Sequence, residues 1–147
     1  MELSSSKERR KWLIAYAPLI VWIIVVLGLG TGIGSMNETS RFIRPLLEFL
    51  FPDASPATLL QYHGYIRKLA HFTEYAILAF FAYRVFKSRH PYLSATLLVA
   101  AVAIADEINQ SFNSSRTASP YDVLLDVIGG ATMLFLIWLA GKGKRSY

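Results

Sequence analysis

Cysteine is absent from the 147-residue chain, which excludes disulfides, zinc–thiolate fingers, iron–sulfur ligation and a thiol nucleophile. Charge is scarce: Asp, Glu, Lys and Arg make up 17% of residues, against roughly 25% in an average soluble domain. Internal repeats and low-complexity tracts are also missing, which argues against solenoids and linkers. What is plentiful is apolar surface, with 54% hydrophobic residues and a mean hydropathy of +0.38. A disordered or collagen-like chain is therefore excluded, and the length allows a single domain, 1–147.

A bilayer core about 30 Å thick needs about 20 largely apolar residues at about 1.5 Å each. Four windows qualify: Trp12 to about Gly30, Leu69 to Phe86, Tyr92 to Ile108 and Tyr121 to Ala140. The first carries no charge and follows Lys7, Arg9, Arg10 and Lys11. It resembles a signal sequence, but the apolar stretch is long and no small-x-small cleavage site follows, so a retained span is expected. Between the first two windows, Phe42, Leu46, Leu47, Phe49, Leu50 and Phe51 are interrupted by Arg41, Arg44 and Glu48. That segment is too short and charged to span, and reads as an interfacial amphipathic helix ended by Pro52, with a loop at Ser55-Pro56. Gly28, Gly30, Gly32 and Gly34 lack the strand and lysine of a phosphate loop and fit close helix packing. The expected fold is thus an all-α integral membrane protein, a four-helix transmembrane bundle with a short interfacial helix.

Four spans put both termini on one side. The tails and the second-to-third connection hold ten Lys and Arg (residues 7, 9, 10, 11, 84, 87, 89, 142, 144 and 145), and the opposite side five. The positive-inside rule then sets both termini in the cytoplasm. The pI near 9.6 follows from topology and attraction to anionic membrane lipids, without nucleic acid.

On this topology the remaining ionisable residues gather at the outer ends. Lys68, His71 and Glu74 step by three along the second span, with Tyr75 beside them. Asp106, Glu107 and Gln110 end the third span, and Asp122 and Asp126 begin the fourth after a loop containing Arg116. Several have plain structural readings. Asp122 stands at capping-box spacing from Ser119 with Pro120 between them, Tyr75 and Tyr121 fit an aromatic belt, and Lys68 can snorkel. His63 and His90 fall in connections and are expected to be solvated. His71 and Lys68, however, would lie near a helix N-terminus and Asp106 and Glu107 near a C-terminus, each against the macrodipole. Ionisable residues within spans are costly and normally face a bundle interior or wet cavity. A shared polar pocket between the second and third spans, with Asp126 and Arg116, is the expectation.

The series Lys68-x-x-His71-Phe72-x-Glu74-Tyr75, Asp106-Glu107-x-x-Gln110, Arg116 and Asp122-x-x-x-Asp126-x-x-Gly129 resembles the signature of the VanZ-like family over about residues 67–130. The resemblance implies a small bacterial envelope membrane protein, in a family named from a glycopeptide resistance cluster and linked to teicoplanin resistance. Three functions stay open. In an enzyme acting on a lipid-linked envelope precursor, Lys68 and Arg116 hold an anion, His71 is general acid or base oriented by Glu74, and Asp106, Glu107 and Asp126 bind a divalent cation or activate water. Gln110, Asp122 and Tyr75 complete the ligand contacts. In a non-catalytic lipid- or antibiotic-binding protein the same cluster recognises without turnover. In an ion or proton conductor its carboxylates and histidine carry charge.

Overall fold

A computed structural model describes residues 2–31, 36–86, 89–112 and 119–143, apart from the side chains of residues 2–8, 36, 37 and 143. Five helices follow in order: α1 (Glu2–Gly30), α2 (Met36–Leu50), α3 (Pro56–Val85), α4 (Pro91–Ser111) and α5 (Pro120–Gly143). No strand occurs among the described residues. Among the described residues, three stretches are long and apolar enough to cross a membrane: Arg9–Gly30, Pro91–Ser111 and Pro120–Lys142. These contain the first, third and fourth expected windows. The second lies inside α3, where His71, Thr73 and Glu74 dilute the apolar character.

The α3 helix begins well before the expected Leu69. Ser55 caps it, its hydroxyl accepting from Thr58 N at 3.2 Å, and Pro56 occupies the first turn, where a missing N–H is harmless. Thirty residues at about 1.5 Å each make a helix of about 45 Å, longer than a bilayer core. His71 and Lys68 therefore lie mid-helix, and the expected clash with the helix N-terminus does not arise.

Each of the other helices packs on α3. Further contacts join α4 to α5 and α1 to α4, whereas α2 touches α3 alone among the described residues. The core between the long helices combines Leu19, Val26, Leu78, Val99, Val102 and Leu134 with Ala79, Ala82, Ala95 and Ala103. Small residues let backbones approach, as membrane helices need when apolar burial no longer distinguishes protein from lipid. A methyl on Gly129 would collide with the Phe72 carbonyl oxygen, and one on Gly130 would lie 2.8 Å from Val99 Cγ1. Outward, Ile14, Val21, Ile24, Leu97, Ile104 and Phe135 are exposed, an apolar exterior suited to lipid.

The α2 helix has three faces. Leu47 is buried, Arg41–Glu38 (2.6 Å) and Arg44–Glu48 (2.8 Å) pair along an exposed charged side, and Phe42, Leu46, Phe49 and Leu50 form an exposed apolar stripe. Its attachment to α3 corrects one expectation. His63 is not solvated: it lies within α3, only 3% exposed, with Thr39 Oγ1 3.0 Å from Nε2 and Ser40 Oγ 3.3 Å from Nδ1. His90 is exposed at the start of α4, as expected.

Candidate functional site

Three titratable side chains from three helices converge in the bundle. His71 of α3 sets Nδ1 3.5 Å from Oδ1 of Asp126 on α5. Asp106 of α4 completes the group, and one ligand-type atom from each lies within 4.8 Å of the others. Asp106 and Asp126 are each 1% exposed. Small residues make the convergence geometrically feasible. Gly30 at the end of α1 abuts Asp106, where any methyl would overlap Oδ1 and sit 2.9 Å from Cγ. Gly129, one turn beyond Asp126, lets α5 rest against the α3 backbone at Phe72, next to His71.

The surroundings are ordered by longer-range hydrogen bonds. Gln110 Nε2 donates to Asp106 Oδ2 at 2.8 Å. Asn109 Nδ2 donates to the Leu27 carbonyl at 3.1 Å, joining α4 to α1, and Trp22 Nε1 donates to the Glu74 carbonyl at 2.9 Å, joining α1 to α3. Tyr75, fully buried one turn along from His71, has a hydroxyl with no hydrogen-bond partner among the described residues. Both Asp126 oxygens are likewise buried without a hydrogen-bond partner there.

Beside this cluster a cavity of about 130 Å³ opens between α1, α2 and α3, lined by Gly30, Thr39, Arg67, His71 and Glu74 among others. His71 is the bridge, with one ring nitrogen towards Asp126 and its ring on the cavity wall. Arg67, His71 and Thr39 on one small concave surface suit an oxyanion, with the acidic Glu74 on the same wall as an opposing charge.

The expected site residues thus divide. The structure gathers His71, Asp106, Asp126 and Gln110, buries Tyr75 one turn from His71 on α3, and sets Glu74 on the cavity wall. Glu107 is buried but engaged elsewhere, since its Oε2 accepts the Ser119 backbone N–H at 2.7 Å and so caps α5 from the neighbouring helix. The Ser119–Asp122 capping box is replaced by this arrangement, and the Ser119 hydroxyl accepts from Tyr121 N at 3.2 Å instead. Asp122 is half-buried, Tyr121 is exposed, and Lys68 is exposed and does not line the cavity. Its neighbour Arg67 does, a substitution that follows from the 100° step between adjacent helix positions. Arg116 lies outside the described residues. Thr39 joins the site as an addition to the expected set; its position before the amphipathic run carries no signal of its own.

At the opposite end of α3, Arg9, Lys11, Trp12, Tyr16 and Arg84 surround a shallow groove, and Lys142 Nζ stacks 3.9 Å from the Trp138 ring. Basic residues from α1 and α3 therefore share one end of the bundle.

Fold and centre together define an all-helical protein of membrane-crossing character built round an enclosed polar cluster. Within that class the chain belongs to the VanZ/LLP1 family, whose model matches residues 13–141. The match extends well beyond the motif-bearing stretch at 67–130 and takes in α1 from residue 13 onward and all of α2. No curated protein and no solved structure matches the chain.

Proposed function

We propose that this protein is a four-span protein of the bacterial cytoplasmic membrane that binds the anionic head of a lipid-linked envelope compound on its extracytoplasmic side. In this reading α1, α3, α4 and α5 cross the bilayer and both termini are cytoplasmic. The basic groove of Arg9, Lys11 and Arg84 then marks the cytoplasmic end, as the positive-inside rule requires. The α2 helix lies at the outer interface, with the Phe42, Leu46 and Phe49 stripe towards lipid and its ion-paired face towards water.

One observation carries the reading: the cavity that sets Arg67, His71 and Thr39 beside the buried carboxylates, walled by helices whose outer faces are apolar. A lipid tail would follow the outer faces while its phosphate enters the cavity. The probe is undecaprenyl phosphate, added to purified protein in detergent and followed by native mass spectrometry. One adduct per chain is expected, lost on Arg67→Gln with the fold intact. Equal adducts of wild type and variant, or none in either, would overturn the assignment.

The contact between His71 Nδ1 and Asp126 favours a second reading, in which the bound compound is cleaved or transferred. An acidic partner that orients an imidazole is the arrangement of a general base. His71 would take a proton from water as the water oxygen bonds to phosphorus and the bond from phosphorus to the leaving oxygen breaks. Turnover of many equivalents of a polyprenyl diphosphate to monophosphate and inorganic phosphate supports it; stoichiometric binding with release of intact ligand excludes it.

A further inference from the structure

We propose that His71, Asp106 and Asp126 hold a divalent first-row metal ion, Zn²⁺ or Mn²⁺, inside the bundle beside the cavity. What the ion does rests on the anionic-ligand reading; where it sits rests on the three side chains alone.

Donor type, spacing and burial combine here. The three side chains come from three different helices, yet offer one ligand atom each within a 4.8 Å compass. In a four-coordinate site with bonds near 2.0–2.1 Å, neighbouring ligand atoms stand about 3.3 Å apart. The His71 Nδ1 to Asp126 Oδ1 edge is already 3.5 Å. The remaining two edges are no longer than 4.8 Å.

Burial supplies the independent sign. Asp126 is 1% exposed, and neither of its oxygens has a hydrogen-bond partner among the described residues. His71 Nδ1, also buried, faces Asp126 Oδ1 at 3.5 Å without a hydrogen bond between them. Buried polar atoms are normally hydrogen-bonded, and a buried carboxylate with no hydrogen bond beside a second carboxylate and an imidazole points to a ligand that pairs it. Two carboxylates and one imidazole carry more negative than positive charge, so the ligand that fits is a cation. An imidazole donor suits Zn²⁺, and a set of one imidazole and two carboxylates also admits Mn²⁺, whereas Mg²⁺ and Ca²⁺ take oxygen donors.

The hydrogen bond behind Asp106 points the same way. Gln110 Nε2 fixes Asp106 through Oδ2, leaving Oδ1 on the side of Gly30. Metal-binding carboxylates are held by outer hydrogen bonds of this kind. Glu107, with one oxygen committed to the Ser119 N–H, is outside the set, which revises the expected Asp106, Glu107 and Asp126 group to one with His71 in place of Glu107. The His71 ring separates this position from the cavity, which lies against its other side.

The test uses the full chain in detergent micelles without added lipid. Protein stripped with EDTA is titrated with Zn²⁺, Mn²⁺ or Mg²⁺ against a chromophoric chelator, and bound metal is counted by inductively coupled plasma mass spectrometry after desalting. One equivalent of Zn²⁺ or Mn²⁺ is expected, held at least tenfold more tightly than Mg²⁺, with affinity falling at least tenfold in Asp126→Asn. X-ray absorption of the Zn²⁺-loaded wild type provides a check that needs no variant, and imidazole scattering in an otherwise oxygen shell is expected. No retained metal in the wild type, undiminished affinity in Asp126→Asn, or a shell without imidazole overturns the proposal. Undecaprenyl phosphate binding, scored separately on stripped protein, fails or survives on its own, so loss of the metal site and loss of the anionic-ligand reading are distinct outcomes.

Discussion

Adding one methyl group at Gly129 tests the idea that close approach of α3 and α5 builds the polar centre. The added carbon would lie 3.1 Å from Phe72 Cα and carbonyl carbon and closer still to the carbonyl oxygen, where ordinary contacts begin near 3.4 Å. The obstacle is helix backbone, which cannot rotate away as a side-chain tip can. The helices must part by roughly 0.5–1 Å, since a close-packed interior offers no slack. Overpacking of this kind costs about 1–3 kcal/mol. Replacing a helical glycine with alanine returns about 0.8–1 kcal/mol of helix preference, so the net loss should be about 0–2 kcal/mol. Gly64→Ala isolates the steric part, because that position has nothing within 4 Å and keeps only the helix gain. The two variants should therefore differ by about 1–3 kcal/mol in SDS-titration unfolding from mixed micelles, with helix preference cancelling. Parting the helices also stretches the 3.5 Å His71–Asp126 contact, so Gly129→Ala should lose undecaprenyl phosphate binding even where it stays folded. Variants equal in stability to within about 0.5 kcal/mol would refute the claim that the crossing is tight.

Other expectations concern single interactions. Trp22→Phe removes the bond from α1 to the Glu74 carbonyl and should cost about 1 kcal/mol, read in the same unfolding assay. Glu107→Leu should expose the first turn of α5, raising amide exchange at Ser119 and Tyr121, while Glu107→Gln, which keeps an acceptor oxygen, should change it little. His63 precedes the apolar stretch of α3; burial, and secondarily the Arg67 charge, lower its pKa below the ordinary value near 6.5. The unfolded chain then takes up a proton that the folded one refuses, so the His63 contribution is fully present above about pH 6.5 and is lost as pH falls from there towards the folded pKa. His63→Gln should flatten stability against pH across that window; an unchanged slope would count against the burial of this ring.

Helices are readable wherever apolarity runs without interruption, which is why α1, α4 and α5 contain the expected windows. The true start of α3 escapes the apolar window, because Gln61, Arg67 and Lys68 lower the hydropathy of its first turns. Its capping signal is nevertheless present in Ser55-Pro56, which reads as a loop and serves as a helix start. Spacing along one helix places His71, Glu74 and Tyr75 on neighbouring faces, but partners across helices depend on helix rotation, which periodicity leaves open. Thus His71 meets Asp126 while Glu74 lines the cavity, and Arg67 takes the lining position expected of Lys68. Glu107 is legible as a buried acid, but its use as a cap for α5 depends on a backbone N–H that no side-chain pattern encodes.

The unbroken course of α3 restricts how such a chain can change length in evolution. His63, which docks α2, and His71, which enters the polar centre, are eight residues apart on one rigid rod. Inserting or deleting a single residue between them would turn one site about 100° relative to the other and shift it by about 1.5 Å, parting Thr39 from the cavity it helps to line. Relatives that keep both sites should hold that eight-residue interval constant, and tolerate indels in the stretch between α2 and α3 or in the turn before α4, where neither alignment is at stake.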